Sequence, residues 1–213
     1  MIRLDQLKVQ AGGFSIDQVD MEIADGKCTA LLGKSGSGKT TIMEAICGLR
    51  TVVSGSVFIV DRDVTDETPH LRNVGLVPQD NVLFPTMTVR EQLGYGPTIK
   101  KWDKQAIHER VEEIAIALKI DHLLDRKPLG LSGGEAKRVA IGRAMAARPD
   151  LLCLDESFTG LDDETRLEVM QVVKAAIQKE GATTLMITHQ MSEVELMADV
   201  RYQIVDGQVG LLE

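Results

Sequence analysis

Hydrophobic positions along this chain change period several times. Ile2, Leu4, Leu7 and Val9, then Val19, Met21 and Ile23, alternate with polar residues. Gly12-Gly13 separates the two runs and Asp25-Gly26 closes the second, so the pattern predicts antiparallel strands joined by turns. Lys27-Cys28-Thr29-Ala30-Leu31-Leu32 is short, apolar and β-compatible. Thr41, Ile42, Ala45, Ile46 and Leu49 then recur at helical spacing, which predicts a helix ending near Gly48. Val57-Phe58-Ile59-Val60 and Val74-Gly75-Leu76-Val77 read as further short strands.

From about Pro85 the period becomes helical. Thr88-Val89-Arg90-Glu91 is a capping-box pattern, and Asp103 caps a stretch carrying Ile107, Val111, Ile114 and Leu118 on one face. Ser132-Gly133-Gly134-Glu135 repeats the capping box before a helix through Val139 and Met145, which Pro149 stops. Leu151-Leu152-Cys153-Leu154 and the run from Thr183 to Thr188 are buried-strand patterns, with a helix bearing Leu167, Met170, Val173 and Ile177 between them. Neither an internal repeat nor a low-complexity tract interrupts the chain. The expectation is an α/β fold. Its core lobe, about 1–85 and 149–213, holds a mainly parallel sheet flanked by helices and an antiparallel β part; an α-helical lobe, about 86–148, is inserted.

Between the apolar strand and the first helix stands Gly33-Lys34-Ser35-Gly36-Ser37-Gly38-Lys39-Thr40, followed by Thr41. It fits G-x-x-x-x-G-K-[ST] in the strand–turn–helix setting the motif requires, and so predicts a P-loop NTPase core. The glycines allow backbone angles and close approach that a Cβ forbids. Successive amides then point at a phosphate from the positive end of the helix. Lys39 supplies a mobile charge for the β- and γ-phosphates, and the Thr40 hydroxyl is a ligand for Mg²⁺.

Leu151-Leu152-Cys153-Leu154-Asp155-Glu156 is an apolar strand ending in two carboxylates. Ligands of open α/β sheets bind at strand carboxyl ends, where Asp155 can hold Mg²⁺ and Glu156 can deprotonate an attacking water. Gln79 and His189 also follow strands. An amide there ligates Mg²⁺ or positions water; an imidazole there hydrogen-bonds a γ-phosphate. Taken singly, Gln79 reads as a polar turn residue and His189 as a satisfied structural histidine. Ser132-Gly133-Gly134-Glu135 makes a second anion-suited helix N-terminus in the other lobe, which one nucleotide does not need. A cradle serving another subunit's nucleotide accounts for it.

Composition narrows the field. The 213 residues are 44% hydrophobic and only 3% aromatic, so the core is built from aliphatic residues. The net charge of −8 argues against a general nucleic-acid binder. Cys28, Cys47 and Cys153 are odd in number and set among apolar residues, and read as small core hydrophobes in a reducing compartment. His70, His108, His122 and His189 are too scattered for a structural zinc. The first residues lack a signal peptide's apolar stretch, and no run approaches the roughly 18 apolar residues of a span. A cytoplasmic chain that reaches a membrane only through partners is expected.

The ordered set resembles the nucleotide-binding subunits of ABC transporters over essentially the whole chain. It comprises the phosphate loop, Gln79, Leu131-Ser132-Gly133-Gly134-Glu135, the strand ending in Asp155-Glu156, Thr159-Gly160-Leu161-Asp162 and His189. The resemblance implies a single ABC ATPase domain over 1–213 that binds ATP with Mg²⁺ and hydrolyses it. Two copies would sandwich two ATP molecules, a homodimer formed on ATP binding. Ser132, Gly133 and Gly134 of one copy would close on the γ-phosphate held by Lys39 of the other, while Glu135, which ends this in trans signature, would point away as the helix cap. In its terms Thr40, Gln79 and Asp155 surround the metal, Glu156 is the general base, His189 senses the γ-phosphate and Asp162 links the paired sites.

Leu83-Phe84-Pro85-Thr86-Met87-Thr88-Val89-Arg90-Glu91 resembles the importer type, with short molybdate- or oxyanion-type subunits closest in look. That implies integral membrane permease subunits docking on Gln79 and the segment after it, a substrate-binding protein, no nucleic acid, and a peripheral place on the inner face of the cell membrane. Two departures stand out. Ser157 replaces the usual proline after the catalytic glutamate, and Phe14 is the sole candidate for an adenine-stacking aromatic. A soluble, ribosome- or DNA-associated ABC ATPase is the rival reading. Such proteins carry paired cassettes or a coiled-coil insertion, and this chain shows neither.

Overall fold

The computed structural model describes residues 1–80 and 82–212. In chain order the N-terminal part contains β1 (Ile2–Ala11), β2 (Phe14–Ile23), β3 (Cys28–Leu32), α1 (Lys39–Ile46), β4 (Val52–Ile59), β5 (Arg62–Asp63) and β6 (Val74–Val77). Three helices follow: α2 (Val89–Ile99), α3 (Lys104–Ala117) and α4 (Gly133–Ala146). The C-terminal part contains β7 (Leu151–Asp155), α5 (Asp163–Glu180), β8 (Thr184–Thr188), α6 (Met191–Met197), β9 (Val200–Val205) and β10 (Gln208–Leu211). These sort into two compact units. One is Met1–Leu76 with Asp150–Asp155 and Gly181–Glu213; the other is Val77–Pro149 with Glu156–Glu180.

The first unit holds a four-stranded sheet ordered β2-β1-β4-β5 and the strands of a sheet ordered β10-β9-β3-β8-β7-β6. In the second sheet β9, β3, β8 and β7 run parallel, and β10 turns back against β9. Strands β3, β7 and β8 are buried at every position, which is why they read as apolar runs without alternation. In β1 the alternation slips between Leu4 and Leu7, where the pairing register shifts and Gln6 takes a φ of 47°. This bulge returns Leu7 and Val9 to the buried face. Ile2, Leu4, Leu7 and Ile16 then pack in one core with Ile42, Met43 and Ile46 of α1, and with Leu151, Cys153, Leu185 and Ile187. Each such side chain contributes about 1.5–3 kcal/mol by leaving water.

Cys28, Cys47 and Cys153 are buried thiols, as expected of small core hydrophobes. A hydrogen bond with the Cys47 thiol, together with burial, pushes the Cys153 thiol well above its ordinary pKa. Arg72, 2% exposed, was not foreseen. Its guanidinium donates to the carbonyls of Ala45 and Ile46 at the end of α1, and to those of Glu67 and Thr65. A buried cation so placed satisfies helix-terminal carbonyls and complements the negative end of the helix dipole.

The second unit is helical. Both capping boxes are present, Thr88 with Glu91 and Ser132 with Glu135, and the Asp103 carboxylate accepts from the amides of Gln105 and Ala106. Gly142 lets α4 approach its neighbours: a Cβ there would stand 2.8 Å from Leu93 and 2.9 Å from Leu118 side-chain carbons. Trp102 follows α2, with the Arg148 guanidinium 5.8 Å from its ring centre. Leu167 is 49% exposed, because the buried face of α5 centres on Val169 and Val173 and Leu167 lies round the helix from it.

Candidate functional site

Strands β3, β7 and β8 are parallel and in register, Leu32 beside Thr188 and Asp155 beside Ile187. Their carboxyl ends therefore bring Gly33, Asp155 and His189 to one edge of the first unit. The phosphate loop leaves β3 at Gly33 and enters α1 through Gly38, whose φ of 101° is one that side chains rarely adopt. Lys34, Ser35 and Gly36 are exposed, Ser37, Gly38 and Thr41 are half-buried, and Lys39 is 4% exposed. The Lys39 ammonium donates to the carbonyls of Gly33 (2.9 Å) and Lys34 (3.0 Å), and so is held within the loop it belongs to. The Ser37 hydroxyl is buried with no hydrogen-bond partner.

The Thr40 hydroxyl lies 3.1 and 3.3 Å from the two carboxylate oxygens of Asp155. A hydroxyl and a buried carboxylate converging at the start of a helix form a hard, all-oxygen donor set, which suits Mg²⁺. His189, directly after β8, is exposed. A cavity of about 380 Å³ adjoins the loop, lined by Ser15, the stretch 34–37 and the β9–β10 turn with Gln203, Asp206 and Gly207. Its size suits a small ligand's ring system. The β9–β10 hairpin was missed in the sequence, where only Asp206-Gly207 signals a turn. Phe14 opens β2, and its side chain lies outside the described residues.

The other predicted residues lie in the second unit. Gln79 is exposed just after β6, and Glu156 directly follows Asp155 in the chain. Glu156 has a φ of 43°, and its carbonyl accepts from the Thr159 hydroxyl (2.9 Å) and amide (3.2 Å). A left-handed backbone in a residue with a long side chain costs on the order of 1–3 kcal/mol. Ser157, 1% exposed, donates to the Val77 carbonyl at 3.4 Å, so the serine that stands at this place is a buried, tied residue.

Ser132 and Gly133 are exposed at the start of α4, and Gly134 is buried. The Glu135 carboxylate accepts from the Ser132 amide at 2.7 Å, and this bond, with the Ser132 hydroxyl, holds its pKa below the ordinary value. The carboxylate is thus turned back on the helix start as its cap. Gly134 has a packing role: a Cβ would stand 3.0 Å from a Thr165 carbon and 3.1 Å from a Val169 carbon on α5. Asp162 is exposed and accepts from the Thr165 amide at 3.0 Å, so it caps α5; that bond lowers its pKa. Among the described residues no helix is long and apolar enough to cross a membrane.

The profile of the family described as ABC transporter matches residues 16–159. The sn-glycerol-3-phosphate import ATP-binding protein UgpC of Ruegeria sp. is 40% identical over 192 residues, 90% of this chain and 54% of that protein. The molybdate/tungstate import ATP-binding protein WtpC of Pyrococcus horikoshii is 35% identical over 199 residues, 93% of this chain and 58% of that one. The chain thus spans little more than half the length of these curated relatives. Among solved structures, the ATP-binding cassette MJ0796, dimeric and bound to ADP and Pi after hydrolysis, superposes with a TM-score of 0.82. It is 26% identical, covering 100% of this chain and 99% of that one. The ADP conformation of MJ1267, an ATP-binding cassette of an ABC transporter, gives a TM-score of 0.86. There the identity is 28%, over 99% of this chain and 89% of the other.

Proposed function

This chain belongs to the ABC transporter family, and from that premise we propose that it is the ATP-hydrolysing motor subunit of an importer. The observation that carries the reading is the Thr40 hydroxyl set 3.1 Å from the Asp155 carboxylate, beside a loop that keeps Lys39 buried. Loop amides and Lys39 bind the β- and γ-phosphates. Thr40 and Asp155 would hold Mg²⁺, with Gln79 as the further ligand that the family resemblance implies, and the ion would neutralise charge on the phosphate oxygens. Glu156 takes the proton of a water whose oxygen attacks the γ-phosphorus, and the bond from that phosphorus to the bridging oxygen breaks, giving ADP and phosphate. His189 donates to a γ-phosphate oxygen. Ser132, Gly133 and Gly134 of a second copy close over that phosphate, and Asp162 lies in the segment joining the paired sites.

The second unit would couple to membrane subunits through an apolar surface. Val82 is 58% exposed; Phe84 and Tyr95 lie with ring centres 5.1 Å apart, and Arg143 stands 4.7 Å over Phe84. A permease segment docks there, which places the chain peripherally on the inner face of the membrane. The import direction follows the two named relatives.

The test compares wild type, Glu156→Gln and Lys39→Ala in detergent extracts of native membranes. Glu156→Gln retains ATP but loses turnover roughly 100- to 10,000-fold, the usual worth of a general base. It co-purifies with multi-span proteins in the presence of ATP, while Lys39→Ala fails to bind ATP. Normal turnover in Glu156→Gln removes that residue from the mechanism, and ribosomal or DNA-bound partners remove the transport role.

A further inference from the structure

Arg110, in the middle of α3, is 3% exposed. Its guanidinium donates to the carbonyls of Met145 (3.1 Å) and Ala146 (3.2 Å), the last residues of α4. The same group pairs with Glu113 (2.7 Å) one turn along α3, and with Glu180 (2.7 Å), the last residue of α5. Burial works against its charge, yet the two carboxylates raise its pKa above the ordinary guanidinium value. The tie is reciprocal: Arg138 on α4 donates to the carbonyls of Leu118 and Lys119 at the end of α3, both at 3.1 Å. Arginine's planar fork suits such shared, fixed geometry.

The other ends of the same two helices carry site residues. Helix α4, about 21 Å long at 1.5 Å per residue, begins at the Ser132–Glu135 cap, and α5 begins directly after Asp162. At that end Gly134 seats α4 against Thr165 and Val169 of α5. Helices α4 and α5 are thus joined near their starts by close packing and at their ends by one buried guanidinium. Two attachments, one at each end, remove the pivot that either alone would leave.

We propose that Arg110 is a positioning residue of the composite ATP site: by clamping the ends of α4 and α5, it makes the Ser132–Glu135 cradle and Asp162 approach a second copy as one rigid body. The inference rests on the reading of the site given above, in which that cradle completes a partner's nucleotide site. It predicts a defect in association and not in the nucleotide affinity of a single copy, since Lys39 and its loop lie in the other unit.

The experiment uses the whole chain in a Glu156→Gln background. A fluorescent ATP analogue gives the nucleotide affinity of dilute single copies, and sedimentation with MgATP gives the dimerisation constant. Arg110→Met is expected to leave the first within twofold and weaken the second at least tenfold. Glu180→Gln, which keeps size and most of the packing, is expected to weaken dimerisation at least threefold. In the Glu156-containing chain both variants lower kcat with little change in KM. Should Arg110→Met fail to fold, Glu180→Gln decides. Wild-type dimerisation in the folded variants overturns the proposal, and so does an equal loss of single-copy affinity, the mark of general destabilisation. A parent chain that binds ATP without dimerising instead overturns the reading of the composite site, and this inference with it.

Discussion

Glu156 shows what the site costs at the scale of one residue. Its φ of 43° is held by two hydrogen bonds to its carbonyl from Thr159, and glycine would occupy that conformation without strain. Glu156→Gly is therefore expected to raise the urea midpoint by the equivalent of about 1 kcal/mol while abolishing turnover, whereas Glu156→Gln abolishes turnover and leaves the midpoint unmoved. Glu135 gives a pH prediction. The Ser132 amide, then its hydroxyl, lowers the Glu135 pKa in the folded chain. Its contribution is full above the ordinary carboxylate value of about 4.3 and is lost as pH falls through the lowered one. The stability gap between wild type and Glu135→Ala accordingly narrows as pH falls below about 4.3, read as urea midpoints. Buried arginines were not legible from sequence at this scale. Arg72 and Arg110 each bond two backbone carbonyls more than twenty residues away in the chain, and a carbonyl leaves no mark in a residue string.

At the scale of elements, the two signature glycines separate by what a methyl group would meet. Beside Gly134 it meets helix-borne Thr165 and Val169 at 3.0 and 3.1 Å; beside exposed Gly133 it meets the end of a flexible Leu161 at 3.1 Å. Gly134→Ala is expected to cost about 1–3 kcal/mol by overpacking α4 on α5. Gly133→Ala is expected to leave thermal stability nearly unchanged and to weaken ATP-driven association. Thermal unfolding of both variants checks the contrast. The starts of α2, α3 and α4 were readable because a cap is a local arrangement of three or four residues. The extent of α2 was not, since Gly96-Pro97 normally ends a helix. Here Gly96 admits Ala147 at close range and the Thr98 hydroxyl bonds the Gly94 carbonyl at 2.8 Å, so the helix continues to Ile99. Strand β9 escaped notice because Arg201, Tyr202 and Gln203 are all half-buried and show no alternation.

For the molecule as a whole, the phosphate loop and the strand ends were legible as chemistry because each is carried by consecutive residues on a regular element. Their convergence was not, because it depends on the parallel order β3-β8-β7, in which β3 pairs with β8 more than a hundred residues further along the sequence. Arg72 gives a prediction at this scale. Arg72→Met leaves the Ala45 and Ile46 carbonyls dry, each worth about 1–3 kcal/mol, so the first unit is expected to lose at least about 2 kcal/mol. ATP affinity falls in step with the folded fraction only. Denaturant titrations with and without MgATP test this, since ligand that binds the folded form alone restores the lost stability by mass action.

The chain's single tryptophan, Trp102, sits beneath Arg148 in the helical unit, while the buried sheet strands belong to the other. Indole emission is therefore a private reporter of one half of the chain, and far-ultraviolet dichroism reports both. If the halves melt together, the two signals trace one sigmoid. If they are separate cooperative units, Arg72→Met advances the dichroism curve ahead of the emission curve, and Arg110→Met reverses their order. A single natural chromophore thus turns equilibrium unfolding into a measure of how strongly the two halves are thermodynamically coupled.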